Sequence, residues 1–173
     1  QPMARLVNVA AVQFAAQAER GRPESPEVVL AEVEARFAGL QGLGVDLVVF
    51  SEGVAAVGMP MTAAEDPSAP GPFLQAYADF ARAEGCHVAG AAKTSGNGRI
   101  HNSIVFYGPD GYLGAYHKVF PTIDEIEDGI APGEEAVVLE TDVGRLGGVV
   151  CFDLNFDELR RQYRTLKPDI LCF

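Results

Sequence analysis

Residues 147–163, GGVVCFDLNFDELRRQY, restrict the possible folds more than any other stretch of this chain. Gly147, Gly148, Val149 and Val150 form a short apolar run that ends at Cys151 and reads as a buried strand. Asp153 and Asn155 follow with turn and helix-cap chemistry. From Phe156 onward, apolar residues recur at helical spacing, at Leu159, Tyr163 and Leu166. A cysteine is thereby set where a strand breaks into a helix. Such a turn presents a side chain at the carboxyl end of a sheet, with backbone N–H groups able to face an oxyanion. Free cysteine is also among the most buried residue types, so these residues by themselves favour a core thiol.

The segments before it repeat the alternation of strand and helix. Residues 6–14, LVNVAAVQF, read as a first, central strand, followed by a polar loop from Gln17 to Glu24. Ser25-Pro26 opens a helix, with Ser as cap and Pro at the first helical position. Val29, Val33, Phe37 and Leu40 line one face of it, and Gly42 and Gly44 end it. Asp46 to Phe50 is the next strand and runs straight into Ser51-Glu52-Gly53. Strand, helix, strand implies parallel pairing. Residues 53–71 carry no periodicity and predict a long loop, suited to a pocket rim or lid. Phe73, Tyr77, Phe80 and Ala81 mark a second helix, closed by Gly85. Strands then follow at 87–92, 101–107 and 112–119, joined by turns at 93–99 and 108–111, which makes the sheet mixed. Residues 121–133 read as a loop with mostly solvated acids at Asp124, Glu125, Glu127 and Asp128. Ala136 to Glu140 and, after Pro168, Asp169 to Phe173 read as further strands. The chain stops inside that last strand, which predicts an incomplete domain.

With 48% hydrophobic and 21% charged residues, 173 residues suffice for one core, and one domain over 1–173 is expected. Lys and Arg number 13 against 24 Asp and Glu, a net charge of −11. That surface argues against nucleic acid or an anionic membrane as partner. No apolar run reaches the length of a membrane span, and Cys86, Cys151 and Cys172 form neither a disulfide framework nor a zinc signature. Gln1 and Pro2 ahead of Met3 read as a tag remnant, with no basic-then-apolar leader after them. The expectation is a soluble, cytoplasmic protein.

Three residues at strand ends can carry chemistry. Glu52 follows an unbroken apolar strand, at the end of the sheet where open α/β folds build sites, though most glutamates are simply solvated. Lys118 lies between Tyr116-His117 and Val119-Phe120, either as a fixed cation for a developing oxyanion or as a snorkelling surface lysine. Cys151 is the third. A thiol near its reference pKa of about 8.5 needs a base or a cation to act as a nucleophile, and Glu52 and Lys118 are one of each.

The segments VAAVQF (9–14), DLVVFSEG (46–53), HNSIVFYGPDGYLGAYHKVFPT (101–122), PGEEAVVLETDVGRLGGVVCFDLNFDEL (132–159) and KPDILCF (167–173) together resemble the nitrilase, or carbon–nitrogen hydrolase, superfamily. They occur in the family's order and cover most of the chain. The resemblance implies an α/β fold, a four-layer αββα sandwich with mixed sheets, here incomplete at the carboxyl terminus. It implies a Glu-Lys-Cys triad on Glu52, Lys118 and Cys151, with the Phe152 backbone N–H at the oxyanion. A second glutamate near the lysine falls on Glu125, with Glu127 the competing assignment. Ser51 departs from the proline usual before the first glutamate, and CFDLNF is nearer the amidase-type branches than the C-W-E pattern of true nitrilases.

The activity so implied is hydrolysis of a small amide or N-carbamoyl compound through a cysteine thioester, without metal or organic cofactor. Nitrile hydrolysis and a non-catalytic scaffold of the same fold are the alternatives. The resemblance also implies a homo-oligomer, packed through the helix from Phe156 to Leu166. The polar face of that helix, Asp157, Glu158, Arg160, Arg161 and Arg164, also fits a solvated surface.

Overall fold

The β-branched and apolar runs form eight strands in two sheets among the residues described by a computed structural model, 6–13, 25–52 and 59–173. The larger sheet takes β1 (Val9–Val12), β2 (Leu47–Phe50), β3 (His87–Gly96), β4 (Arg99–Gly108) and β5 (Gly111–His117) in sequence order. Its first three strands are parallel, and β3–β4 and β4–β5 are antiparallel. The smaller sheet holds β6 (Val138–Thr141), β7 (Gly144–Gly148) and β8 (Ile170–Cys172), antiparallel and then parallel. Each parallel pair needs a crossover, and helices supply it. Helix α1 (Pro26–Leu40) joins β1 to β2, α2 (Pro72–Glu84) joins β2 to β3, and α4 (Asp157–Leu166) joins β7 to β8. A one-turn helix, α3 (Ile123–Glu127), follows β5.

Two apolar clusters set the layer order. In the first, Val29, Val33 and Phe37 of α1 and the inward face of α2 cover Val48, Phe50 and Val88 of the larger sheet. Phe37 stacks on Phe80 at 4.1 Å and meets Phe50 edge-on at 5.2 Å. In the second, Leu47, Ala89, Ile104, Phe106 and Tyr116 of the larger sheet meet Leu146, Val149, Val150, Leu159 and Tyr163. Two adjacent glycines in β7 show which layer lies on each side. A Cβ on Gly148 would stand 2.8 Å from Tyr116 Cβ in the larger sheet, whereas one on Gly147 would meet Tyr163 of α4 at 3.1 Å. The layers therefore run helices, sheet, sheet, helix, which is the αββα order expected.

Several local expectations differ from what the structure shows. The first strand is an edge strand and not a central one: β1 pairs with β2 alone among the described residues, and Val9 is 49% exposed. Among the described residues the later strands of this sheet are all added on the far side of β2. Phe14 and the polar loop from Gln17 to Glu24 lie outside the described residues, as do residues 53–58 of the expected lid. The rest of that loop is tied down. Glu65 N–H donates to Lys93 O at 3.0 Å, and its carboxylate accepts from the N–H groups of Phe73 and Leu74, capping α2 where Gly71 has no side chain to do so. Ser25 does not cap α1 with its hydroxyl, which is bonded instead to Glu27. The paired part of β7 spans 144–148 rather than 147–150, although Val149 N–H still donates to Cys172 O at 2.9 Å. Residues 121–133 are not all loop, because Thr122 and Glu125 form a capping box that starts α3.

The close approach of the sheets at Gly148 gives a prediction with an internal control. Gly148→Ala should lower stability by about 1–3 kcal/mol, since Tyr116 is fully buried and cannot withdraw. Gly39→Ala, in α1 with open space around it, should raise stability by about 0.5–1 kcal/mol. Urea unfolding of both variants measures this; equal effects at the two sites would contradict the packing described.

Candidate active site

Glu52 lies two residues past β2, Lys118 directly after β5, and Cys151 shortly after β7, so three strand ends converge. Cys151 opens a 3₁₀ turn (Cys151–Asn155) with φ of 43°, a left-handed conformation that costs a non-glycine residue energy unless its surroundings enforce it. The enforcement comes from Asp153, which is 0% exposed. Its carboxylate accepts from Val150 N–H (3.1 Å), Phe120 N–H (2.8 Å) and Tyr116 Oη–H (2.7 Å). Asp153 thus ties the cysteine turn to the segment that carries Lys118, and does not act as the helix cap that its position suggested. The cap residue of α4 is Phe156, without a side-chain hydrogen bond, and its ring stacks on Phe120 at 3.9 Å.

The Lys118 ammonium, 2% exposed, sits between Glu52 Oε1 at 3.0 Å and Glu125 Oε2 at 2.7 Å. Asn102 of β4 spans the same two carboxylates, donating from Nδ2 to Glu52 Oε1 at 2.8 Å and Glu125 Oε1 at 2.7 Å. The backbone fixes the lysine as well, through Lys118 N–H to Asn102 O and Gly133 N–H to Lys118 O, both 2.8 Å. Burial disfavours the Lys118 cation, but its hydrogen bonds to Glu125 and Glu52 outweigh that and hold its pKa above the ordinary lysine value. Burial also disfavours the Glu125 carboxylate, yet bonds from Lys118, Thr122 N–H and Asn102 bring its pKa below the ordinary 4.5. Of the two candidates for a second glutamate, the structure brings Glu125 to the lysine; Glu127 is exposed on α3.

The Cys151 side chain is exposed, while Cys86 and Cys172 are buried. Burial drives the thiols of Cys86 and Cys172 up to about 11 and about 12. Cys151 is also raised, first by partial burial and then by the charge and hydrogen bond of Glu52, while Lys118 and the Phe152 backbone N–H pull the other way. Glu52, Lys118 and the Phe152 backbone N–H thus all act on the Cys151 thiol. A cavity of about 320 Å³ opens on this group, lined by Glu52, Lys93, Asn102, Lys118, Glu125 and Cys151. An apolar cleft of about 400 Å³ reaches the same cysteine between the sheets, past Val12, Phe50, Ile104 and Phe173. Among the described residues no group of three or more His, Cys, Asp or Glu is placed to hold a metal ion. No described helix is long and apolar enough to cross a membrane.

The sequence gives no site role to two members of this site, Asn102 and Asp153. A signal for Asn102 existed: it shares the inward row of β4 with Ile104 and Phe106, where a polar residue needs a reason. Asp153 gave no comparable signal, since turn acids are common.

Two measurements follow from these hydrogen bonds. Asp153→Ala should cost on the order of 3 kcal/mol or more, because it leaves three buried donors unpaired, and Tyr116→Phe only about 1 kcal/mol. The depressed pKa of Glu125 means that its contribution to stability is full above pH 4.5 and is lost as pH falls through its lower native value. Glu125→Gln should therefore flatten the acid limb of a stability-against-pH curve below 4.5, and an unchanged limb would contradict the Lys118–Glu125 pairing.

The profile of the carbon–nitrogen hydrolase family matches residues 8–173. A chloroplastic omega-amidase of Arabidopsis thaliana is 31% identical over 84 residues, 43% of this chain and 23% of its own length. A hydrolase of Mycobacterium tuberculosis is 32% identical over 127 residues, 67% of this chain and 44% of its own. Among solved structures, a double mutant of an amidase from Nesterenkonia sp. in complex with acrylamide has a TM-score of 0.75 at 19% identity, over 99% of this chain and 65% of that one. At that identity the likeness speaks for the fold. The chain spans less than half the length of these two curated relatives. With nearly every residue inside the family profile, and the αββα fold matched in a solved amidase, this chain belongs to the carbon–nitrogen hydrolase family.

Proposed function

We propose that the protein hydrolyses the carbon–nitrogen bond of a small amide through a thioester on Cys151. The observation that carries this reading is the position of Glu52, whose carboxylate bonds the Lys118 ammonium and lines the same cavity as the Cys151 thiol, close enough for its charge to act on that thiol. A carboxylate so placed can take the thiol proton as the sulfur attacks, which matters because the thiol pKa is raised and little thiolate stands ready. Lys118 is not a proton donor at neutral pH in this arrangement; it is a fixed cation for the oxyanion.

The steps balance on these groups. Glu52 accepts the Cys151 proton while Sγ bonds to the amide carbon, and the carbonyl electron pair moves to oxygen. Lys118 and the Phe152 N–H stabilise that oxyanion. The C–N bond breaks as protonated Glu52 gives its proton to the leaving nitrogen, releasing ammonia or an amine. Water enters, Glu52 takes its proton, and attack on the thioester releases the carboxylic acid and restores the thiol. Glu125 and Asn102 hold Lys118 and Glu52 at the required spacing. The omega-amidase relative and the acrylamide complex of the solved amidase both support an amide substrate. The exposed polar face of α4 would be the contact with a second copy in a homo-oligomer.

Ammonia release from a panel of short aliphatic amides, measured on the intact protein, tests the proposal. Turnover should fall by about 10⁴-fold or more in Cys151→Ala and by about 10²–10⁴-fold in Glu52→Gln. Turnover that survives in Cys151→Ala, or that is confined to nitriles, would overturn it.

A further inference from the structure

Cys151 stands where two cavities meet. Cys151, Glu52 and Asn102 line both the polar cavity of about 320 Å³ and the apolar cleft of about 400 Å³. Lys118 and Glu125 line only the first, and Val49, Phe50, Ala91, Ile104 and Val150 only the second. Among the described residues, Glu52 is the one charged group of the cleft, and its other polar side chains, such as Gln13, Ser51 and Ser103, are neutral. The polar cavity carries Glu52, Asp124, Glu125 and Asp128 against Lys93 and Lys118, so its balance is negative. That balance suits water and a departing ammonium and opposes a substrate carboxylate. Trigonal geometry then divides an amide between the two spaces. With the carbonyl carbon at Cys151 Sγ, the oxygen has to face Lys118, on the polar side. The nitrogen has to face Glu52, from which it takes its proton. The acyl substituent is directed away from both, and the space left to it is the cleft between the sheets.

We propose that this cleft is the acyl pocket, and that it selects small amides whose acyl chain is apolar and uncharged. The inference rests on the amide-hydrolase reading and narrows its substrate class. Each methylene placed between the sheets is removed from water and favours binding. A charged chain end in the same place would lose its hydration without gaining a counter-ion. A volume of about 400 Å³ has room for roughly a dozen non-hydrogen atoms. The width of the cleft depends on one small residue. Ala91 of β3, 2% exposed, stands directly opposite Ile104 of β4, so the two side chains leave the same face of the sheet. Val149 and Val150, just past β7, line the cleft from the smaller sheet. A larger side chain at position 91 would occupy the volume beside Ile104, and Ala91 is therefore the specificity residue of the pocket.

The test separates binding from turnover. In the intact protein carrying Cys151→Ala, titration calorimetry compares propionamide, butyramide and hexanamide with adipamate and 6-aminohexanamide, an anionic and a cationic amide of similar reach to hexanamide. Affinity should rise about 3- to 4-fold for each added methylene. Hexanamide should bind at least about 10-fold more tightly than either charged amide. Adding Ala91→Leu should lower the hexanamide-to-propionamide ratio by at least about 10-fold, whereas a merely structural effect would weaken both alike. Ala91→Val, a smaller intrusion, serves in its place if Ala91→Leu lowers the melting temperature sharply. The proposal is overturned if affinity does not depend on chain length, if adipamate or 6-aminohexanamide binds best, or if the ratio survives in both Ala91 variants. Sedimentation of the same variants adds one further outcome: self-association that weakens in Ala91→Leu, with no dependence of affinity on chain length, would assign the cleft to a second copy and overturn the acyl pocket. Turnover in the protein with Cys151 intact reports separately on the hydrolase reading. Chain-length-dependent binding without turnover would sink hydrolysis alone, and turnover without that dependence would sink the acyl pocket alone.

Discussion

A lysine ammonium buried with a carboxylate on each side is the interaction on which the rest of this site depends. Taking Lys118 out of water costs several kcal/mol unless it is paired and hydrogen-bonded. The chain meets that cost from three separate elements. Glu52 arrives from the end of β2, Glu125 from the single turn of α3, and Asn102 from the middle of β4. Each brings its group within 3.0 Å of a partner, and each is fixed by pairing or capping that extends well beyond the site. Loss of either carboxylate would leave the cation under-compensated, so the fold and the electrostatics of the site specify one another.

A second constraint acts on the cysteine. Its left-handed backbone persists because Asp153 binds the turn to β5 and to the segment after it. The same carboxylate therefore positions the cysteine and the lysine relative to each other. Glu52 bonds the Lys118 cation and lines the cavity that Cys151 also lines. Neighbouring charges raise or lower the thiol pKa according to sign, and here Glu52 and Lys118 oppose one another at Cys151.

How much of this could be read in the sequence depended on how local each signal was. Cys151 and Glu52 were legible because an unbroken apolar strand followed by a polar residue marks a sheet end, and DLVVFSE and GGVVCFD both do so. The layer order was legible through family resemblance and only weakly through periodicity. Glu125 was preferred to Glu127 through the resemblance alone, since what brings it to Lys118 is a capping box at Thr122 that winds residues 123–127 into a helix. Asn102 escaped because the carboxylates it bonds lie 23 and 50 residues away, and Asp153 because its partners beyond the local turn lie 33 and 37 residues away. The central place expected for β1 failed for a similar reason: strand order is set by long-range pairing, and an apolar run looks the same at an edge as at the centre.

In the proposed mechanism the amide carbon becomes covalently attached to Cys151 before water reaches it. Partitioning by hydroxylamine tests this most directly, because it does not require the intermediate to accumulate. Intact protein would turn over an amide substrate in rising hydroxylamine, with ammonia, carboxylic acid and hydroxamate measured together. The account predicts that hydroxamate replaces acid while the first release of ammonia is not accelerated, and that all three products vanish in Cys151→Ala. Acid as the sole product at every hydroxylamine concentration, or full product formation without the Cys151 thiol, would contradict it.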